Sequence, residues 1–289
     1  MSLSRPSEVR AILRELDFKP SKVLGQNFLI DGNILGIMVE SAEVIDGDAV
    51  LEIGPGLGVL TEALLEAGAC VKAIEKDDRL FAFLSERFAN RERLTLIHGD
   101  VMRADLRALC GEGSSKVVAN LPYSVGTRAL VDLAELPDGP RQMVVTVQLD
   151  VGERLAAQSN TKAYGSVSVM LQTLYEVSLR KVVTPSCFYP APKVKSAIMN
   201  LRRLEDTSLA PRDRKHFRAL VKHAFQHRRK QLGTILQHLP AFVKAENEDA
   251  RRVLADVGID TQARPTTLSP SDWVALSNAL TASHAPLEC

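Results

Sequence analysis

The sequence predicts an α/β fold, a doubly wound Rossmann-like sheet, with a second, smaller all-helical domain at the C-terminus. Short apolar runs alternate with segments of helical periodicity over the first 200 residues or so. The run at 143–149 is β-branched and almost wholly apolar, as expected of a central strand buried on both faces. After Leu204 only helical patterns follow. These three observations predict the two-part organisation.

The elements follow one another in a regular order. Strands are predicted at residues 48–54, 70–74, 94–97, 116–119, 143–149 and 196–201. Helices are predicted between them at 57–66, 77–88, 127–136 and 164–177. Strands separated by helices imply a parallel sheet, and right-handed crossovers place helices on both of its faces.

A polar segment at 205–211 ends in proline and is interpreted as a linker. Beyond it, helices are predicted at 213–225, 230–239, 247–257 and 270–280. The last has a clear start signal, since Ser269 can cap it and Pro270 stands at its first position. We therefore predict one domain at residues 1–204 and a helical domain at 211–289.

The composition predicts a folded cytosolic protein. Hydrophobic residues make up 45% of the chain and charged residues 25%. No run approaches the ~18 apolar residues that a membrane-spanning helix needs, and the first residues do not resemble a signal peptide. The four cysteines are widely scattered, so we expect reduced thiols, no metal and no membrane association.

Basic residues are concentrated in two segments. Residues 180–203 carry six basic side chains and no acidic one, and residues 211–230 carry eight basic side chains and one acidic. Together the two segments have a charge of +13, whereas the whole chain has only +1. Such zones are typical of a phosphate-binding face, although a solvated helix face gives the same pattern.

Glycines and carboxylates follow the first three strands. Gly54-Pro55-Gly56-Leu57-Gly58 comes after the first, Glu75 ends the second, and Asp100 ends the third. The carboxyl ends of parallel strands meet at one edge, where ligands bind. Glu75 can accept hydrogen bonds from ribose hydroxyls, and Asp100 can accept one from an adenine amino group. The third glycine comes one position earlier than in G-x-G-x-x-G, which argues against a pyrophosphate.

Asn120-Leu121-Pro122-Tyr123 follows the fourth strand. The exocyclic N6 amine of adenine is a poor nucleophile because its lone pair is delocalised into the ring. Two acceptors aimed at its N–H bonds favour the tetrahedral, positively charged geometry of attack without a general base. The Asn120 side-chain oxygen and the Leu121 carbonyl can supply them. Pro122 restricts the backbone, and Tyr123 can stack on a flipped base.

In this order the motifs resemble the ribosomal small-subunit (16S) rRNA adenine N6,N6-dimethyltransferase family. The resemblance covers nearly the whole chain, from Lys19 to about Leu280. The segments that carry it lie at residues 18–29, 52–58, 74–77, 99–100, 120–123, 188–196, 224–230 and 265–269. Several motifs in the right order are far more specific than any one of them.

The resemblance implies a class I methyltransferase fold that binds S-adenosyl-L-methionine and dimethylates two adjacent adenosines in a 3′-terminal hairpin loop of 16S rRNA. The implied substrate is a pre-assembled small ribosomal subunit, and the implied protein is a monomer. The residues implied to bind the cofactor are Gln26, Asn27, Leu29, Gly54, Gly56, Glu75, Lys76, Asp100, Val101 and Asn120. Phe188, with Tyr123, is implied to hold the target base. RNA contacts are implied for Lys193, Lys195, Arg228, Arg229 and Lys230.

Two segments depart from the family pattern. Ser124-Val125-Gly126-Thr127 stands where the family usually has Asn-Ile-Ser-Thr, and Leu149-Asp150 stands where many members have Lys-Glu. The first bears on the rate or processivity of methylation, and the second removes a positive charge. Neither departure changes the two predicted acceptors for N6.

Three other functions fit parts of the pattern. A large-subunit rRNA adenine methyltransferase of the macrolide-resistance type shares the sheet and the catalytic loop, but lacks the stretch resembling residues 266–269. A non-catalytic ribosome assembly factor could use the same scaffold, but this is disfavoured by the intact Asn120, Tyr123, Glu75 and Asp100. A nicotinamide oxidoreductase needs a hydride-transfer partner, and the sequence offers no candidate.

Overall fold

The computed structural model describes residues 6–20, 25–111, 115–122, 125–205, 210–240, 243 and 250–282. Two compact units divide the chain. The sheet unit consists of Met1–Gly152 and Val177–Arg203, and the helical unit consists of Glu153–Glu176 and Leu204–Cys289. Among the described helices, none combines the length and apolar character needed to span a bilayer.

The first part of the chain alternates between helices and strands. The helices are α1 Pro6–Glu15, α2 Gly32–Ser41, α3 Val59–Glu66, α4 Asp78–Arg87, α5 Leu106–Cys110, α6 Gly126–Ala134 and α7 Leu149–Leu155. The strands are β1 Phe28–Leu29, β2 Ala49–Ile53, β3 Cys70–Glu75, β4 Leu94–His98, β5 Lys116–Asn120, β6 Gln142–Gln148, β7 Tyr175–Val183, β8 Phe188–Tyr189 and β9 Ser196–Arg203.

Seven strands form one sheet in the order β4-β3-β2-β5-β6-β9-β7. The strands β2 to β6 pair in parallel, and β9 runs antiparallel to β6. The α/β class and the Rossmann-like sheet predicted from the sequence are confirmed. A separate two-stranded pairing of β1 with β8 places Leu29 opposite Phe188. The parallel strands bring the ends of β2, β3, β4 and β5 to one edge of the sheet.

The helix predicted at 164–177 is wrong in its second half. Only α8, Ser166–Gln172, is helical, and β7 begins at Tyr175. The apolar spacing of Leu171, Leu174 and Tyr175 continues the helical period, so the local pattern does not show the change. Pairing at the edge of the sheet, which is a tertiary interaction, draws the segment into a strand.

The compact units also differ from the predicted domain boundary at 204. Residues 153–176 belong to the helical unit because α8 packs against α9, Arg214–Gln226, and α12, Pro270–Ala282. The shorter helices α10, Leu232–Gln237, and α11, Ala250–Asp256, complete the described part of this unit.

Aromatic residues form the centre of the helical unit. Trp273 and Tyr164 are both fully buried. The ring of Phe225 lies 5.8 Å from that of Trp273 and 5.9 Å from that of Tyr164, measured between centroids. The Tyr164 hydroxyl donates to the carbonyl of Leu268 at 2.9 Å, so this buried polar group is satisfied. These contacts join α9, α12 and the segment before α8.

A carboxyl group is buried where β2 packs against α3. Glu52 is only 1% exposed, and its Oε2 accepts a hydrogen bond of 2.6 Å from the hydroxyl of Thr61. Burial raises the pKa of Glu52 to about 8 against the opposing effect of that hydrogen bond. Glu52 is therefore protonated in the folded protein at neutral pH.

The turn between β2 and α3 requires glycine at position 58. Gly58 has φ of 77° and immediately precedes α3. A Cβ at this position would lie 2.5 Å from the ring of Phe88 and 2.8 Å from Leu84. Both the backbone conformation and the packing therefore exclude a side chain.

We predict that Gly58→Ala lowers the free energy of unfolding by about 2–4 kcal/mol, since left-handed strain and overpacking add. Gly47 is a matched control, because it has φ of 81° but no atom lies within 4 Å of the place that a Cβ would take. Gly47→Ala should cost only about 1–2 kcal/mol from strain. Urea unfolding of both variants measures the difference, and equal costs would contradict the packing argument.

We predict that Glu52→Gln becomes progressively more stabilising, relative to wild type, as the pH rises from about 5 to 8. The wild-type pKa is about 8 in the folded state against 4.5 for an ordinary glutamate. Between these values the unfolded chain loses the proton first, so the stability of the wild type falls with increasing pH. Gln does not titrate, so the variant avoids this fall in the free energy of unfolding, which is at most about 4 kcal/mol between pH 5 and 8.

Urea unfolding of Glu52→Gln and wild type at pH 5, 6, 7 and 8 tests this. A stability difference that stays constant across this range would contradict a protonated Glu52. Glu153→Gln serves as the control, because Glu153 is exposed and its substitution should leave the pH profile unchanged.

Candidate active site

A cavity of about 1070 Å³, including its open mouth, lies at the edge where β2, β3, β4 and β5 end. Every residue for which the family resemblance implies a cofactor contact lines it, and so do Leu121 and Pro122. Asn27 and Leu29 lie near the N-terminus of the chain. Leu29 reaches the cavity from β1, and Asn27 reaches it from the segment just before β1. The structure thus brings together motifs that are about 100 residues apart in the chain.

The glycine turn allows two loops to approach closely. Gly54 and Gly56 have φ of 69° and 60°, in the region that favours glycine. A Cβ on Gly54 would lie 3.3 Å from Cγ of Pro122, and one on Gly56 would lie 3.0 Å from the ring of Phe28. The turn therefore leaves its backbone accessible to the cavity while Pro122 packs next to it.

Glu75 is held in place by the backbone. Its Oε1 accepts from the N–H groups of Lys76 and Asp77, both at 2.9 Å, and its Oε2 accepts from Gly56 at 3.1 Å. Burial raises the pKa of this carboxyl, while the same three N–H groups favour its charged form. Three of its roughly four acceptor positions are filled, so about one remains for a ligand.

Asp100 forms an ion pair across the mouth of the cavity. Lys76 Nζ lies 2.9 Å from its Oδ2, and Met102 N–H donates to its Oδ1 at 2.9 Å. The hydrogen bond from Lys76 holds the pKa of the Asp100 carboxyl below its ordinary value. Asp100 is therefore a charged acceptor with one fixed orientation, close to the end of β4.

Asn120 is positioned by two elements at once. Its amide nitrogen donates to the backbone carbonyl of Asn27 at 2.9 Å, and its Oδ1 accepts from the hydroxyl of Thr146 on β6. The backbone continues through Leu121 to Pro122, whose carbonyl accepts from Val125 and Gly126 at the start of α6. The segment from Asn120 to Pro122 is thus connected to the N-terminal segment, to β6 and to α6.

The prediction that two aromatic residues hold the target base can be compared with the structure for only one of them. Tyr123 lies outside the described residues. Phe188 is only 3% exposed and does not line the cavity. Because it pairs opposite Leu29 in the β1–β8 ribbon, its side chain packs into the core with Ile34 and Leu35. The structure therefore does not bring Phe188 to the site.

The residue after Phe188 has a more open position. Tyr189 is half-buried, and the guanidinium of Arg10 lies 5.2 Å from the centroid of its ring. Successive residues of a strand point to opposite sides, so Tyr189 lies away from the cluster that buries Phe188 and packs against a second apolar cluster that includes Phe28. Sequence spacing alone could not decide which of the two aromatic rings is buried.

The predicted RNA-contacting residues fall into two groups. All five side chains are exposed, namely those of Lys193, Lys195, Arg228, Arg229 and Lys230. Of the five, only the Arg228 side chain has hydrogen bonds to other described residues of the helical unit. Arg228 donates to the carbonyls of Lys162 and Tyr164, at 3.1 and 2.8 Å, and its guanidinium lies over Phe225. Arg228 therefore stabilises the helical unit, which makes its contribution different from that of its two neighbours.

Thr146 is a site residue that was not predicted from the sequence. It is fully buried between Val145 and Val147 on β6 and lies directly opposite Asn120 on β5. The signal that could have found it is a single hydroxyl within an apolar central strand. Such a group needs a buried partner, but the local pattern does not say which one.

Comparison with known proteins gives consistent results over nearly the whole chain. The Ribosomal RNA adenine dimethylase family profile matches residues 17–281. A protein of Clostridium acetobutylicum named Ribosomal RNA small subunit methyltransferase A is 38% identical over 272 residues, covering 94% of this chain and 97% of its own. A protein of the same name from Ligilactobacillus salivarius is 40% identical, covering 96% of each chain.

Solved structures share the fold. A dimethyladenosine transferase from Plasmodium falciparum superposes with a TM-score of 0.76 at 22% identity, over 89% of this chain and 98% of its own. The 23S rRNA methyltransferase ErmE superposes with a TM-score of 0.62 at 27% identity, over 88% and 100% respectively. With a profile match over this length and relatives near 40% identity, the chain belongs to the ribosomal RNA adenine dimethylase family.

Proposed function

We propose that this protein transfers methyl groups from S-adenosyl-L-methionine to N6 of two adjacent adenosines in the 3′-terminal hairpin loop of 16S rRNA. The observation that carries the proposal is the position of Asn120. Its side chain is fixed by two hydrogen bonds at the edge of the sheet where Glu75 and Asp100 also line the cavity. This arrangement places an amide acceptor beside a site suited to an adenosine-containing cofactor.

The residues of the cavity fit S-adenosyl-L-methionine. Glu75 is a fixed carboxylate with a remaining acceptor position for a ribose hydroxyl. Asp100, which ends the turn after β4, can accept from the adenine amino group. The open backbone of Gly54 and Gly56 allows close approach, and Asn27 and Leu29, for which the resemblance implies cofactor contacts, also line the cavity.

The cofactor supplies an electrophilic methyl group on a sulfonium when it is bound. The protein contributes two acceptors, Asn120 Oδ1 and the Leu121 carbonyl, for the two N–H bonds of the target amine. As the amine becomes tetrahedral and positively charged, both hydrogen bonds strengthen, and the nitrogen lone pair is directed at the methyl group. Neither acceptor needs to remove a proton in the attacking step.

Exposed cations supply the contacts to the RNA backbone. Lys193 and Lys195 precede β9, and Arg229 and Lys230 follow α9. Unpaired loop bases can be splayed out of the helix and presented to a protein site, while basic side chains bind the neighbouring phosphates. The expected partner is the assembling small ribosomal subunit, and the cytoplasm is the expected compartment.

The test is transfer of labelled methyl groups to small subunits that lack the modification, compared with large subunits and naked 16S rRNA. The proposal expects transfer of up to four methyl groups per small subunit, because each of two adenosines accepts two. Preferential labelling of large subunits would instead support a large-subunit (23S) rRNA methyltransferase activity like that named for ErmE. No labelling, with cofactor binding absent, would support a non-catalytic assembly factor.

We predict that Asn120→Ala lowers the methyl-transfer rate at least about 100-fold, the usual cost of removing a preorganised acceptor or donor from a transition state. Cofactor affinity, measured by calorimetry, should change by less than about five-fold, because Glu75 and Asp100 remain. Asn200→Ala is the control. Asn200 is buried and accepts from Gln142 at 3.0 Å, so this change should lower stability but not the transfer rate. Wild-type turnover by Asn120→Ala would refute the mechanism.

We predict that the double substitution Arg229→Gln and Lys230→Gln weakens binding of small subunits and reduces the slope of log K against log salt by about 1.5. Its melting temperature should match wild type, because both side chains are exposed. Arg228→Gln should instead lower the melting temperature, since it removes two hydrogen bonds to carbonyls. An unchanged salt slope in the double variant would show that these two cations face solvent and do not contact RNA phosphates.

A further inference from the structure

A buried hydroxyl lies directly behind the proposed catalytic asparagine. Thr146 on β6 is registered opposite Asn120 on β5, and Ile198 on β9 lies on its other side. The side chain of Thr146 is 0% exposed. A hydroxyl buried among valines is costly unless it is hydrogen-bonded. It meets that requirement by bonding to Asn120 Oδ1.

The direction of both hydrogen bonds follows from the chemistry of the partners. The backbone carbonyl of Asn27 can only accept, so the Asn120 atom facing it at 2.9 Å must be the amide nitrogen. The remaining atom, Oδ1, therefore faces Thr146, and the hydroxyl is the donor. The amide cannot be flipped without placing its oxygen against the Asn27 carbonyl, which would set two acceptors face to face.

We propose that Thr146 is a positioning residue for methyl transfer, which holds Asn120 Oδ1 so that its second lone pair is presented to the target amine. This inference rests on the catalytic role proposed above for Asn120. The carbonyl oxygen of an amide has two lone pairs, so one bond to Thr146 leaves the other for an N–H of the substrate. Asn120 lines the cavity, whereas Thr146 does not.

The hydroxyl matters because the terminal torsion of asparagine is soft. Rotation about this torsion has broad minima, so an amide held only at its nitrogen can turn its oxygen away from a required position. A second anchor at the oxygen restricts it before substrate arrives. Small displacements of a reacting or supporting group lower the reaction rate strongly, although they leave binding largely unaffected.

The test compares Thr146→Val with Thr146→Ser. Valine keeps the branched shape and the packing between Val145 and Val147 but removes the donor. Serine keeps the donor and removes a methyl group. The measurements are single-turnover transfer of labelled methyl to unmodified small subunits, the KM for the cofactor, and the melting temperature. Asn120→Ala is measured in parallel. Thr173→Val is the matched control, because Thr173 is a buried threonine whose hydroxyl donates to Met170 at 3.0 Å.

We expect Thr146→Val to lower the single-turnover rate about ten-fold, with a KM for the cofactor within about two-fold of wild type. Thr146→Ser should restore the rate to within about three-fold, even if its loss of a methyl group lowers the melting temperature more. Thr173→Val should lose stability without losing rate. This combination separates the hydroxyl from a purely structural effect.

The possible failures are distinguishable. A wild-type rate for Thr146→Val, together with an inactive Asn120→Ala, would overturn the role of Thr146 while leaving that of Asn120 intact. Equal losses in the valine and serine variants would also overturn it, because the hydroxyl would then not be the cause. Full activity of Asn120→Ala would overturn the catalytic role proposed for Asn120 and, with it, the role of Thr146, whereas no transfer by the wild type would overturn the proposed function.

Discussion

Parallel pairing of β4, β3, β2 and β5 is the constraint on which the rest of the site depends. In a parallel sheet every strand ends at the same edge. Residues at the ends of four strands therefore become neighbours in space although they are far apart in the sequence. Gly54, Glu75, Asp100 and Asn120 reach the cavity in this way. The interactions that refine their positions are short and local, and they act only because the sheet has already aligned the strand ends.

Close packing around the edge explains why backbone groups do so much of the positioning. The glycine turn approaches Pro122 and Phe28 so closely that a Cβ on Gly54 or Gly56 would lie only 3.3 or 3.0 Å from them, which is tighter than most Cβ contacts in proteins. Its N–H at Gly56 reaches Glu75, and the carbonyl of Asn27 reaches Asn120. Backbone donors and acceptors have fixed positions within well-packed elements, so they orient functional side chains at a low entropic cost.

Features encoded locally could be predicted from the sequence, whereas features that depend on register could not. Glu75 and Asp100 were predictable because an acid at a strand end lies at the ligand edge whatever the sheet order. The role of Thr146 depends on how β6 is registered against β5, and the burial of Phe188 depends on its pairing with Leu29. The start of β7 was missed for the same reason, since its apolar spacing fits a helix and only sheet pairing decides otherwise.

The buried polar groups of the sheet unit show how the fold limits charge near the cavity. Glu52 and Glu75 lie on adjacent strands at the same edge, and both are largely buried. Two carboxylates so placed would repel each other in a medium of low polarity. Glu52 avoids this by keeping its proton, and its Oε2 still accepts the hydrogen bond from the Thr61 hydroxyl. Glu75, with three backbone N–H donors, is the carboxyl better equipped to be ionised. Both carboxyl groups line the cavity, and they differ in how well their hydrogen-bond partners support a negative charge.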